Sequence, residues 1–147
     1  MALFASAARG SLDTSSVRTV ASAHACTVVL ASKGYPDAFE KGYAISGIPE
    51  ALTDARIGVY HAGVALTSLA AAGVALTSLA AAGVAIDGVA TKDAVLVTSG
   101  GRVLAVTAVA ASLGDARMAA YEACDHIHFE GKTLRRDIAQ RAFKTTA

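Results

Sequence analysis

Ser99, Gly100, Gly101 and Arg102 stand together inside the run Leu96-Val97-Thr98-Ser99-Gly100-Gly101-Arg102-Val103-Leu104-Ala105-Val106-Thr107. These residue types suit an anionic oxygen, phosphate above all. Adjacent glycines accept positive φ and leave backbone N–H groups bare. A guanidinium is a permanent fork of donors. Val97, Val103, Leu104 and Val106 are strand formers. The motif is therefore expected at the tip of a hairpin, with 94–98 and 102–108 as its paired strands and the N–H groups of the tip open. On its own, such a turn reads most simply as a solvated one. Lys33, closing the apolar run Ala25–Ser32, is a second candidate cation, with a plain surface lysine as the alternative.

The remaining inventory is spare. No pair of carboxylates stands out as general acid and base. There is no G-x-x-x-x-G-K-[ST], no G-x-G-x-x-G and no G-x-S-x-G, and no Ser/His/Asp set follows from spacing. Cys26 and Cys124 lie far apart without metal-type spacing, and both sit among apolar residues. They are expected as buried free thiols, with a disulfide as the alternative. His126 and His128 are two apart, which on a helix places them on different faces. They are expected to be structural or on the surface. No catalytic residue, metal ligand or cofactor site is assigned to this chain. The residues describe a module that contacts anions without a catalytic engine of its own.

Composition narrows the class. A length of 147 residues suits one domain with a real core. A formal net charge of +1 gives no broad field toward nucleic acid or an anionic membrane. Aromatics at 5%, with no tryptophan, are too few for a base-stacking platform. Met1-Ala2-Leu3-Phe4 lacks the basic start of a secretory signal. The expected compartment is the cytoplasm.

Several elements must position the candidate residues. Residues 1–12 read as a helix with Leu3, Phe4, Ala7 and Ala8 on one face. Ala25–Ser32 reads as a strand apolar enough to be covered on both sides. Lys33-Gly34-Tyr35-Pro36 is a turn, because Gly34 tolerates unusual φ and Pro36 biases Tyr35 away from helix. Glu40-Lys41-Gly42 is another turn. Ala44-Ile45 and Gly47-Ile48-Pro49 read as a short edge segment, since proline cannot donate to a ladder. Residues 57–62 form a further strand. Asp87-Gly88 and Thr91–Asp93 form the next turn. Ser112-Leu113-Gly114-Asp115 has the form of a capping box and opens a helix to about Ile127, burying Leu113, Ala116, Ala120, Ala123, Cys124 and Ile127. A terminal element over 135–143 is expected to pack Ile138, Ala142 and Phe143. Its three arginines make either a solvated face or an anion site.

One stretch breaks the pattern. Gly63-Val64-Ala65-Leu66-Thr67-Ser68-Leu69-Ala70-Ala71-Ala72 recurs letter for letter as residues 73–82, and Gly83-Val84-Ala85-Ile86 begins a third copy. Propensity favours a helix weakened at Gly73. An even period equally suits a β-hairpin, because it keeps the same side chains on one face. Ala62–Ile86 carries no charge, as a membrane span would not. Against a span, the flanking strands could not pair from opposite sides of a bilayer, and Ala, Gly, Ser and Thr add little insertion energy. A segment this apolar is expected to dock on its own domain or to form a homo-oligomer through 63–86.

With these blocks in view, the chain resembles the C-terminal domain of phosphoribosylamine–glycine ligase, of the ATP-grasp superfamily. The matching runs, in the family's order, are Ala25–Pro36, Glu40-Lys41-Gly42 with Ile45 and Gly47, Val59–Gly63, Thr98–Ala108, Ala120–Ala123, Ile127–Gly131 and Arg135–Ala142. The family has Gly where Asp37 stands, and Lys-Asp-Ile-Gly where Arg136-Asp137-Ile138-Ala139 stands. Removing 63–82 restores a family-like sequence, so that stretch reads as a duplication inserted into a single domain spanning 1–147. The resemblance implies an α+β fold: a small antiparallel, partly barrel-like sheet with one long packed helix. It implies a share in joining phosphoribosylamine and glycine at the expense of ATP, in purine synthesis. ATP and Mg²⁺ would be held by the N-terminal and ATP-grasp domains, the implied partners. This chain alone is then expected to be inactive, with an arginine at the position of Arg102 facing the phosphate of the ribosyl substrate. The alternative is a structural, self-associating module driven by the repeat.

Overall fold

The computed structural model describes residues 2–15, 17, 20, 22–68 and 94–144. Its scaffold is an antiparallel sheet built on two long central strands, β1 (His24–Ser32) and β5 (Arg102–Ala110). The edge strands are β2 (Ile57–His61) beside β5 and the short β6 (Lys132–Thr133) beside β1. The sheet is open, ending at β2 and β6, and a single long helix, α3 (Leu113–His126), packs on it. This is the mixed, antiparallel architecture expected from the sequence.

Alternation decides which side faces in. Val28 lies opposite Val106, Leu30 opposite Leu104 and Cys26 opposite Ala108, and all six are buried. The intervening positions face out. Val29 is 38% exposed, and the hydroxyls of Thr27 and Thr107 share a hydrogen bond of 2.8 Å on that side. Strand β1 is therefore covered on one face only, against the expectation of two. The reason is that one long helix supplies one layer.

The helix fits because its inner face is small. Ala116, Ala119, Ala120, Ala123 and Cys124 recur at helical spacing and are buried, and Ile127 follows at the C-cap. Small side chains let the helix backbone approach the Val and Leu side chains of the sheet closely. Leu113, expected in this face, is only half-buried. Ser112 caps the helix by accepting the N–H of Asp115 at 3.1 Å. The Asp115 carboxylate meets the Ser112 hydroxyl at 2.7 Å. Both thiols are free and buried, and burial pushes the Cys124 thiol up to about 12.

Several local expectations are corrected. Helix α1 (Ala2–Ala8) forms, but Phe4 is 73% exposed and Ser6 is the buried side chain. The Ser6 hydroxyl donates to Leu3 O and accepts from the N–H of Asp13, so the chain folding back covers Ser6 rather than the apolar stripe. Residues 48–51 form a helical turn, α2 (Ile48–Ala51), instead of an edge strand. Pro49 sits in its first turn, where a missing N–H leaves no bond unmade. At the C-terminus α4 (Gln140–Lys144) forms, with Ala142 exposed and Phe143 48% exposed. Of the expected trio only Ile138 packs on the core.

A second sheet pairs β3 (Val64–Ser68) with β4 (Ala94–Thr98), antiparallel, from Val64 opposite Thr98 to Ser68 opposite Ala94. Val64–Ser68 of the first copy is thus strand, whatever its helix propensity. The remainder of the repeat, the turn at 87–93 and the helix, hairpin or membrane readings placed on them lie outside the described residues. On the other side of β4, Ala44 bridges Val97 and Ile45 N–H donates to Leu96 O at 2.8 Å. Among the described residues no helix is long and apolar enough to cross a membrane.

Candidate functional site

The expected hairpin is not formed. Strand β4 belongs to the two-stranded sheet and β5 to the four-stranded one, and the two do not pair. Ser99-Gly100-Gly101 is the crossing between them. Its N–H groups are also not all open, because those of Ser99 and Gly100 both donate to Gly63 O, at 2.8 and 3.0 Å. Gly63 N–H in turn donates to Arg102 O at 2.7 Å. One residue thereby holds both ends of the crossing.

The glycines serve close approach rather than left-handed backbone. Neither Gly100 nor Gly101 has positive φ. A Cβ on Gly100 would lie 2.9 Å from Gly63 Cα, and one on Gly101 would lie 2.1 Å from Tyr35 Cδ2. A Cβ on Gly63 would meet Arg102 O at 2.5 Å and Gly100 Cα at 2.6 Å. The Ser32 hydroxyl donates to Gly100 O at 3.1 Å, and Ser32 N–H donates to Gly101 O at 2.8 Å. The crossing is tied to the end of β1 as firmly as to β3.

Arg102 opens β5, and its side chain is exposed. The guanidinium has no hydrogen bond or ion pair to another described residue. Other arginines are engaged. Arg56 pairs with Asp54, Arg135 with Asp137 and Arg136 with Asp125. Arg117 donates to Ile138 O and Arg136 O and lies over the Tyr121 ring. The Arg135 guanidinium holds the Asp137 carboxyl below its ordinary range. Because Ala31 pairs with Arg102 across a bulge, the backbones carrying Lys33 and Arg102 leave the same end of the β1–β5 pair.

Lys33 lies in the turn expected of it. Gly34 has φ +92°, the Tyr35–Pro36 bond is cis, and Lys33 N–H donates to Gly131 O at 2.7 Å. Of the five candidate residues, Lys33 alone lines the adjoining cleft of about 640 Å³. Ser32, Glu40, Tyr43 and Glu130 line it as well. The Tyr43 hydroxyl donates to the Glu40 carboxylate, and that bond pushes the tyrosine up to about 12. Sequence reasoning missed Ser32, Glu130 and Gly63. Ser32 adjoins Lys33, but its bond to Gly100 O joins residues far apart in the chain, and Glu130 reaches the cleft only through the fold. Gly63 carried one signal, since it opens each copy of the repeat.

The cleft therefore combines a lysine with two carboxylates and a tyrosine, beside a crossing that projects an arginine. The single cation of the cleft is thus set against two carboxylates, and the exposed guanidinium of Arg102 lies outside its lining. Among the described residues, no three His, Cys, Asp or Glu side chains gather to hold a metal ion. The donor set does not fit the Mg²⁺ implied by the resemblance.

Comparison with known proteins agrees with this partial character. A family model described as phosphoribosylglycinamide synthetase, C domain, matches residues 25–141. Phosphoribosylamine–glycine ligase of Agrobacterium fabrum is 40% identical over 118 residues, covering 80% of this chain and 22% of that protein. The ligase of Chlorobaculum tepidum is 42% identical over the same shares. The human trifunctional purine biosynthetic protein adenosine-3 is 39% identical over 80% of this chain and 9% of its own length. The crystal structure of the Thermotoga maritima ligase superposes with a TM-score of 0.52 at 39% identity, over 78% of this chain and 22% of that one. The chain thus spans about a fifth of the length of these ligases. It belongs to the family of phosphoribosylglycinamide synthetase C domains.

Proposed function

We propose that this chain serves as the C-terminal domain of a phosphoribosylamine–glycine ligase, completing a site whose catalytic parts lie on other domains. In that reaction ATP drives the joining of phosphoribosylamine and glycine to glycinamide ribonucleotide. The observation that carries the reading is Arg102, exposed at the head of β5 with no ion-pair partner among the described residues, on a backbone clamped by Gly63. An unpaired guanidinium on a fixed stretch of backbone is suited to the ribosyl phosphate of the substrate. Ser99, Gly100 and Gly101 place it, and Lys33 adds a second cation at the same sheet end. The nucleotide and Mg²⁺ belong to the N-terminal and ATP-grasp domains, which are the partners of this chain. A cytoplasmic setting suits an enzyme of purine synthesis and agrees with two free thiols.

The test is a chimaera. The 147-residue chain replaces the matching C-terminal portion of the Agrobacterium fabrum ligase, and ADP release is followed with phosphoribosylamine and glycine. The chain alone is expected to be inactive and the chimaera active. In the chimaera, Arg102→Ala should raise KM for phosphoribosylamine about 10- to 100-fold, the loss of one charge-assisted contact, and leave KM for glycine unchanged. Product formation by the isolated chain refutes the reading.

A further inference from the structure

Two residues hold the crossing between β4 and β5, one from each side. Gly63 works through its backbone, on the N–H groups of Ser99 and Gly100 and on Arg102 O. On the other side stands Ser32, the last residue of β1 and only 3% exposed. Its N–H donates to Gly101 O at 2.8 Å, and its hydroxyl donates to Gly100 O at 3.1 Å. These two oxygens belong to the two peptide planes that lead into Arg102. Both planes start at a glycine, which has no side chain to limit their rotation. The β1–β5 ladder does not continue evenly to this point, because its register shifts between Leu30 and Ala31. Of the bonds that Gly63 and Ser32 make to the crossing, only that of the Ser32 hydroxyl comes from a side chain.

We infer that Ser32 is a positioning residue for Arg102. By holding the Gly100 carbonyl, its hydroxyl fixes the backbone from which the guanidinium leaves the head of β5. Ser32 is also followed directly by Lys33, so one buried residue sets the spacing between two exposed cations. Lys33 has a separate tie, the bond from its own N–H to Gly131 O at 2.7 Å. Loss of the Ser32 hydroxyl therefore loosens Arg102 and leaves Lys33 in place. The inference rests on the proposed role of Arg102 as the contact to the ribosyl phosphate.

The chimaera with the Agrobacterium fabrum ligase tests this, through ADP release with phosphoribosylamine and glycine varied in turn. Ser32→Ala is expected to raise KM for phosphoribosylamine about 3- to 10-fold, the loss of one hydrogen bond, and to leave KM for glycine unchanged. In an Arg102→Ala background the same change is expected to add less than about twofold, because nothing remains to be positioned. A merely structural role behaves otherwise, since loss of folded protein lowers the apparent kcat and does not move KM. An unchanged KM for phosphoribosylamine in Ser32→Ala, where Arg102→Ala does raise it, overturns this inference and leaves the reading of Arg102 standing. So does an equal effect of Ser32→Ala with and without Arg102. A chimaera without activity, or Arg102→Ala without effect on KM, overturns both together. If Ser32→Ala does not fold, Ser32→Cys, close in size and only a weak donor, is measured by the same criteria. Failure of that variant to fold as well overturns the inference, because Ser32 then serves folding rather than Arg102.

Discussion

Gly63 and Gly100 meet backbone to backbone, and a Cβ on Gly100 would lie 2.9 Å from Gly63 Cα. Neither residue has a side chain that can give way. Gly100→Ala is therefore expected to destabilise the chain by about 1–3 kcal/mol through overpacking. Gly101→Ala should behave differently, since its Cβ would strike the Tyr35 ring. In a Tyr35→Ala background the loss at Gly101 should shrink and the loss at Gly100 should not. Thermal denaturation of the two double-mutant cycles checks this.

Lys132 reaches the end of α3, where its ammonium donates to Cys124 O at 3.0 Å and Ile127 O at 2.5 Å. It thus satisfies the last carbonyls of the helix and sits at the negative end of its dipole. Lys132→Met keeps most of the aliphatic stem and removes the donors. Its expected loss is about 1–3 kcal/mol, as for a hydrogen bond from a charged group. Urea unfolding with an unchanged m-value measures it.

Burial pushes the Cys124 thiol up from the ordinary thiol range to about 12. A raised folded value means that the folded chain keeps a proton the unfolded chain releases. The stability this gives is fully present below pH 9 and is lost as pH rises from there toward 12. The melting temperature should fall over that window, and Cys124→Ala should flatten the fall. Melting curves taken at stepped pH show the difference in slope.

Ala139 has φ +62°, the left-handed region, where a Cβ is disfavoured. Ala139→Gly removes that strain, offset in part by greater freedom of the unfolded chain. A net gain of about 0.5–1 kcal/mol is expected. Differential scanning calorimetry should show a higher melting temperature, with a fall counting against the assignment of strain.

The existence of the main elements was legible, β1 from its apolar run and α3 from the helical spacing of Ala116, Ala120 and Cys124. That only one face of β1 is covered was not, because the run carries apolar residues on both faces. The pairing of those elements was less legible. Val97 and Val103 looked like two arms of a hairpin because both are strand formers around two glycines. Their partners, Ala65 and Ala62, lie upstream, and no local pattern announces them. The same limit hid the bond of Ser32 to Gly100 and the place of Glu130 in the cleft beside Lys33. Phe4 and Phe143 show the converse error, since an apolar side chain is buried only where some element arrives to cover it. The ordered blocks contain Arg102 and Lys33, but the reason for two glycines at the crossing became visible only with Gly63 and Tyr35 in place.

Arg102 is anchored through its carbonyl oxygen, which accepts from Gly63, and not through its side chain. The position therefore works as a socket. Any side chain that tolerates an exposed strand start can be plugged in without loosening the scaffold around it. The same arrangement lets charge or length at this point be exchanged while the surrounding architecture is inherited unchanged.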